Sequence, residues 1–380
     1  MSGFLDRMAT GSRERADAAI AAESLPALRA RCRDLAPPPG LARRGGFDLI
    51  AELKLRSPAL GELGRAGEDL AGRVTTYARA GAAAVSVLTE PSRFDGSLAH
   101  LREAAAALAP LGVPAMRKDF LVDPYQLYEA RAAGAGGALL IVRMLSRPLL
   151  GEMLDCAREL GLFVLVEAFD DEDIAVAVQA VSQSRLPTSG GSLLAPKAES
   201  RVAGTHRSSS PRRNGSGTTS GTAFGRPVPP VRSAPLRSAS QTRSLGDRPS
   251  LDRARTGNGA TRSGQPEDDR GPPGSDFLPF GATGGTPGVE RAARGDVLIG
   301  VNSRDLQTLE VVPERLEQLA SRLPRELPRV AESGLTTPED AARMVRAGYD
   351  MALVGGALMS AADPGALVRA MLASGRAAAP

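Results

Sequence analysis

The sequence predicts an α/β fold, a closed (β/α)8 barrel with one extra N-terminal helix and a long disordered insertion between the fifth helix and the sixth strand. Three observations predict it. Short aliphatic or β-branched runs alternate with amphipathic Ala/Leu/Arg stretches. There are eight such pairs. Polar and charged residues gather at the C-terminal ends of the runs, the rim on which barrels assemble their sites.

Taken in order, residues 3–35 read as one amphipathic helix ahead of the barrel. The eight strands are expected at Asp48–Lys54, Ala83–Leu88, Val113–Lys118, Gly137–Val142, Phe163–Glu167, Val297–Asn302, Arg329–Glu332 and Met351–Gly355. Helix starts are marked by Asp123-Pro124, Thr337-Pro338 and Asp363-Pro364, where the first residue can cap and proline suits the first turn. An open, doubly wound sheet shares this periodicity, but no glycine-rich dinucleotide fingerprint follows the first strand. The step Glu52-Leu53-Lys54 puts opposite charges on one strand face. In a barrel that face points inward, where charge is tolerated near the open mouth.

The 380 residues are 42% hydrophobic, with 3% aromatics and no Trp, a composition that suits Ala/Leu/Val helices on a buried parallel sheet. Two cysteines, Cys32 and Cys156, form neither a disulfide framework nor a zinc pattern. With no apolar N-terminal run and no span of membrane length, the expectation is a soluble, cytoplasmic chain. The formal charge of +4 is uneven. Residues 181–290 hold 15 Lys or Arg against 8 Asp or Glu, so the basic pI belongs to that segment. Rich in Ser, Gly, Pro and Arg, the segment lacks the apolar surface to offset its ordering entropy and reads as disordered. The barrel then divides into 1–180, carrying units one to five, and 291–380, carrying units six to eight.

Strand-end residues supply the chemistry: Glu52 and Lys54 on the first strand, Lys118 on the third, Glu167 on the fifth, Asn302 on the sixth, Glu332 and Ser333 on the seventh. Rim salt bridges account for any one of them, and much less readily for so many strands together. Only two histidines are present, His100 on a predicted helix and His206 in the insertion, so acid–base work falls to Lys and Glu and no metal site is expected. Two glycine turns, Ser333-Gly334-Leu335 and Gly355-Gly356-Ala357, follow strands seven and eight, where backbone N–H groups can hold phosphate.

Several stretches resemble indole-3-glycerol-phosphate synthases. They are Ile50-Ala51-Glu52-Leu53-Lys54-Leu55-Arg56-Ser57-Pro58, then Val85-Ser86-Val87-Leu88-Thr89 leading to Phe94-Asp95-Gly96-Ser97, then Arg117-Lys118-Asp119-Phe120. In the second half, Leu165-Val166-Glu167, Gly300-Val301-Asn302-Ser303-Arg304, Ala331-Glu332-Ser333-Gly334 and Leu353-Val354-Gly355-Gly356 continue the pattern in order. The resemblance covers about 1–180 and 291–375. It implies a cofactor-free lyase of tryptophan biosynthesis that takes a phosphorylated small molecule, 1-(2-carboxyphenylamino)-1-deoxyribulose 5-phosphate. Ring closure, decarboxylation and dehydration give indole-3-glycerol phosphate.

By that resemblance Lys118 is the principal general acid, Glu167 a general base and Lys54 a cation steering the substrate carboxylate. Glu52 is a further catalytic carboxylate. Asn302 and Ser333 complete the catalytic set, with Arg304 and Glu332 orienting substrate. Phosphate is expected on Ser57, Gly334, Gly355 and Gly356, and the anthranilate ring against Phe94 and Phe120. The chain departs from the family at Ala59 and Gly356, where a small hydroxyl residue is usual, and in the insertion.

Two other readings stay open. Another phosphate-binding barrel, such as phosphoribosylanthranilate isomerase, lacks the ordered Lys54, Lys118 and Glu167 set. A binding protein would use the basic insertion, yet Phe224 is its one aromatic between Val181 and Asp276, so specific nucleic-acid binding is not expected. Weak polyanion contact is the most the insertion implies.

Overall fold

A computed structural model describes residues 3–64, 69–184, 290–291, 296–305 and 308–380. Eight parallel strands close into a barrel: β1 (Asp48–Leu53), β2 (Ala84–Leu88), β3 (Ala115–Lys118), β4 (Gly137–Ile141), β5 (Phe163–Ala168), β6 (Val297–Asn302), β7 (Arg329–Glu332) and β8 (Met351–Val354). Each strand pairs with its neighbours in sequence, and β8 closes on β1 through Leu353 opposite Ile50. This is a TIM barrel, with every strand within two residues of its expected limits.

The longer helices are α1 (Phe4–Ala22), α2 (Leu25–Arg33), α3 (Leu70–Arg79), α4 (Leu98–Leu108), α5 (Tyr125–Ala132), α6 (Arg147–Glu159), α7 (Asp171–Ser184), α8 (Glu314–Ala320), α9 (Pro338–Ala347) and α10 (Pro364–Ala377). Two of the three expected proline starts place the polar residue at the cap, while at α5 Pro124 is itself the N-cap and Asp123 stands one residue before it. Asp123 accepts from the Tyr125 N–H, Asp363 from the Ala366 N–H, and Thr337 and Asp340 form a reciprocal capping box. The single helix expected over 3–35 is two helices. The chain leaves α1 in extended conformation at Glu23, and Pro26 in the first turn of α2 starts a new helix.

Period-2 alternation divides the apolar residues into two cores. Outward side chains such as Leu49, Val85, Leu140 and Val166 pack with the helices. Inward ones, including Ile50, Met116, Leu139, Leu165, Val330 and Leu353, fill the barrel. Near the mouth Phe120 and Phe169 join this inner core, with Phe4 of α1 packed against it. The disorder expected for 181–290 falls largely outside the described residues. At its start, however, α7 runs through Ser184, whose carbonyl accepts from Arg158. At its end, Glu290–Arg291 pairs antiparallel with Ala42–Arg43 before the chain enters β6, so the segment falls in an αβ connection, between the end of a helix and the start of a strand.

Candidate active site

The rim encloses a cavity of about 640 Å³, lined by residues from the ends of all eight strands and the loops that follow them. All fourteen residues singled out in the sequence line it: Glu52, Lys54, Ser57, Phe94, Lys118, Phe120, Glu167, Asn302, Arg304, Glu332, Ser333, Gly334, Gly355 and Gly356. Barrel closure brings them together, because inward positions at the tops of successive strands converge on one space.

Charge pairs form its floor. Lys54 Nζ, just past the end of β1, lies 2.6 Å from Glu52 Oε1. Lys118 Nζ donates to Glu332 Oε2 at 3.1 Å and stands 3.6 Å from Glu167 Oε2. Asn302 Nδ2 donates to Glu167 Oε1 at 2.6 Å, while its own Oδ1 accepts the Arg304 N–H at 2.9 Å. Glu332 Oε1 is buried without a hydrogen-bond partner.

Burial and charge set the proton affinities. Burial alone would lower the Lys118 pKa, but the carboxylates of Glu332, Glu167 and Glu52 outweigh it and hold the ammonium above its ordinary range. Burial would raise the Glu52 carboxyl, yet Lys54, Lys118 and Arg304 hold it below the usual carboxylate range. For Glu332 burial prevails over the attraction of Lys118, and the nearby charges of Glu167 and Glu52 add to it, so its carboxyl is pushed up to about 8. Burial lowers the Arg304 pKa against the opposing pull of Glu52.

Two glycines make room for this floor. A Cβ on Gly300 would lie 2.2 Å from Glu332 Oε1, and one on Gly355 would lie 2.2 Å from Glu52 Oε1. Gly300 was not singled out in the sequence, although glycine inside a strand signals close approach of another group.

Behind the floor, the neighbours of Lys118 anchor its strand. Asp119 is buried and accepts from Thr89 Oγ1 at 2.7 Å, the Phe120 N–H at 2.8 Å, Arg15 at 2.9 Å and Arg117 at 3.3 Å. Arg15 thus ties α1 to β3, and α1 also carries Phe4 to the cavity wall. There Phe4 meets Phe120 edge-on at 5.9 Å, and Phe94 lies 6.1 Å from Phe120. This aromatic side was expected from Phe94 and Phe120, while Phe4 was not, since nothing in a helical pattern shows which barrel end it covers.

The opposite wall is built of turns. Ser333 and Gly334 both have positive φ, 69° and 78°, and Ser303 Oγ donates to the Ser333 carbonyl at 3.1 Å. Ser57 is buried in a tight hairpin, Arg56–Ser57 pairing with Gly61–Glu62, whose tip carries Leu60 toward Gly356. Exposed N–H groups in such turns suit an oxyanion such as phosphate. Among the described residues no cluster of His, Cys, Asp or Glu has the arrangement of a metal site, and no helix is long and apolar enough to cross a membrane.

A model of the indole-3-glycerol phosphate synthase family matches residues 22–184 and 289–371. The indole-3-glycerol phosphate synthase of a Nocardioides species is 32% identical over 354 residues, covering 92% of this chain and 90% of that protein. That of a Parafrankia species is 29% identical over 366 residues, covering 95% and 92%. That of Mycolicibacterium gilvum is 42% identical over 180 residues, covering 46% and 64%.

Proposed function

The chain belongs to the indole-3-glycerol phosphate synthase family, and from that premise we propose how its cavity performs the reaction of that name. The substrate is 1-(2-carboxyphenylamino)-1-deoxyribulose 5-phosphate, and the enzyme is a carboxy-lyase of tryptophan biosynthesis. The observation that carries the assignment is the position of Lys118, whose ammonium stands between the carboxyl groups of Glu167 and Glu332 on the cavity floor.

Phosphate sits against the N–H groups of Gly334, Gly355 and Gly356 and the hydroxyl of Ser57. The aromatic ring lies against Phe94 and Phe120, and its carboxylate faces Lys54. That leaves the ketone oxygen over Lys118. When the ring carbon bearing the carboxylate attacks the ketone carbon, Lys118 gives a proton to the oxygen, and carbon dioxide departs as ring electrons are restored. In the dehydration, the new hydroxyl leaves as water with a second proton, for which Lys54 is the donor. Glu167, oriented by Asn302, removes a proton from the adjacent carbon to complete the indole. Glu52 holds Lys54 in place, while Arg304 and Ser333 orient the substrate. The apolar wall keeps water from the reacting carbons.

Incubation of the purified protein with this substrate tests the proposal, with products followed by mass spectrometry and released carbon dioxide. Equal amounts of carbon dioxide and indole-3-glycerol phosphate are expected. Folded protein that releases neither would refute it.

A further inference from the structure

The three carboxylates around Lys118 are not equally supported as anions. Glu52 has Lys54 at 2.6 Å, and Glu167 has the Asn302 amide at 2.6 Å as well as Lys118. Glu332 has Lys118 alone, on one oxygen. Its other oxygen faces bare backbone at Gly300, with Leu165 Cδ1 close to the same spot, and accepts no hydrogen bond. Other charges facing Glu332 are the carboxylates of Glu167 on β5 and Glu52 on β1, both repulsive to a third anion. A buried carboxylate oxygen without a donor is a poor place for charge.

The reaction proposed above, on which this inference rests, has a proton deficit. Two protons enter the substrate, one at the ketone oxygen and one on the departing water, and one leaves from carbon. Each turnover consumes one proton, and a Lys118 that has given its own must be reloaded while substrate fills the site.

We propose that Glu332 is the reserve acid of this site, resting as a neutral carboxylic acid and returning a proton to Lys118 within each turnover. In that step the O–H bond of Glu332 breaks, an N–H bond forms on the neutral Lys118 amine, and an ammonium–carboxylate pair is left. Solvent reprotonates Glu332 once product has left. At rest Oε2 accepts from Lys118 at 3.1 Å, so the acid proton is on Oε1, and a turn of the carboxyl group brings that O–H onto the neutral amine. The upward displacement of the Glu332 carboxyl agrees with the acid form at neutral pH. Glu332 acts through Lys118 and so is a positioning and proton-supplying residue, not one that reacts with substrate.

Infrared difference spectroscopy of the unliganded full-length protein, titrated across neutral pH, tests the resting state independently of turnover. A carboxylic-acid carbonyl band that disappears with a midpoint near 8 and is missing in Glu332→Gln is expected. If the wild type has no such band at about pH 7, or if it persists in Glu332→Gln, the proposal is wrong. The companion measurement is the pH profile of kcat in both proteins. Wild-type kcat should fall on the alkaline side as Glu332 loses its proton. Glu332→Gln should be slower by roughly 10 to 100-fold and lack that limb. A slowed variant that keeps the limb would mean a merely structural role and overturn the relay. If neither protein turns the substrate over while the band titrates as expected, it is the assigned reaction that fails, not the resting protonation.

Discussion

The carboxylate of Glu332 occupies the space that a side chain on Gly300 would need: an added Cβ would lie 2.2 Å from Oε1 and 3.0 Å from Leu165 Cδ1. Gly300→Ala should therefore push the carboxylate off Lys118 without unfolding the barrel, since the far end of a side chain can move. A fall in kcat of about tenfold, equivalent to about 1.4 kcal/mol of transition-state stabilisation, is expected, with little change in melting temperature. Steady-state kinetics beside a thermal melt checks this, and an unchanged kcat would contradict it.

The same carboxyl makes a prediction about stability. Its pKa is raised from an ordinary 4.5 to about 8 on folding, so the folded protein binds more protons than the unfolded chain between those values. Its stabilising contribution is full below about 4.5 and is lost as pH rises through 8. Glu332→Gln removes this dependence. The variant's melting temperature should gain on the wild type as pH rises across that window, and a constant difference would contradict the assignment. Glu52, held below the ordinary range, has the opposite sign and loses its contribution as pH falls.

At the phosphate wall, a Cβ on Gly356 would meet Leu60 Cδ1 at 2.9 Å, but Leu60 is 55% exposed and free to swing outward. Gly356→Ser then adds a hydroxyl donor beside the proposed phosphate position. A KM lower by roughly 5-fold with kcat unchanged is expected, the effect of about 1 kcal/mol from one hydrogen bond. A raised KM would show that Leu60 cannot yield.

Much of the barrel was legible because alternation and charge placement are local signals. Glu52 and Lys54, two residues apart, announce an inward face at a rim, and the strand limits followed from aliphatic runs. What was hidden depends on contacts distant in sequence. The Arg15–Asp119 tie between α1 and β3, the entry of Phe4 into the cavity and the slot over Gly300 arise only when strands far apart in the chain come together. The break at Glu23 could have been read from Pro26, but the apolar pattern runs through it.

The reach of α7 to Ser184 also moves the safe limits of a deletion. Joining Ser184 to Glu290 by a short linker keeps Glu290–Arg291 paired with Ala42–Arg43 and changes only a helix-to-strand connection. Turnover within about twofold of the intact chain is expected, since loop length enters only logarithmically. A large loss in kcat with the fold retained would show that the segment takes part in the chemistry.

The most direct test of the account follows indole fluorescence as purified protein meets the carboxyphenylamino-deoxyribulose phosphate, with wild type beside Lys118→Met. The chain has no Trp, so the indole product is seen without interference from protein tryptophan. Product from the wild type and a rate lower by about 100-fold or more in Lys118→Met is the predicted result. Equal rates in the two proteins would contradict the placing of Lys118 at the centre of the reaction.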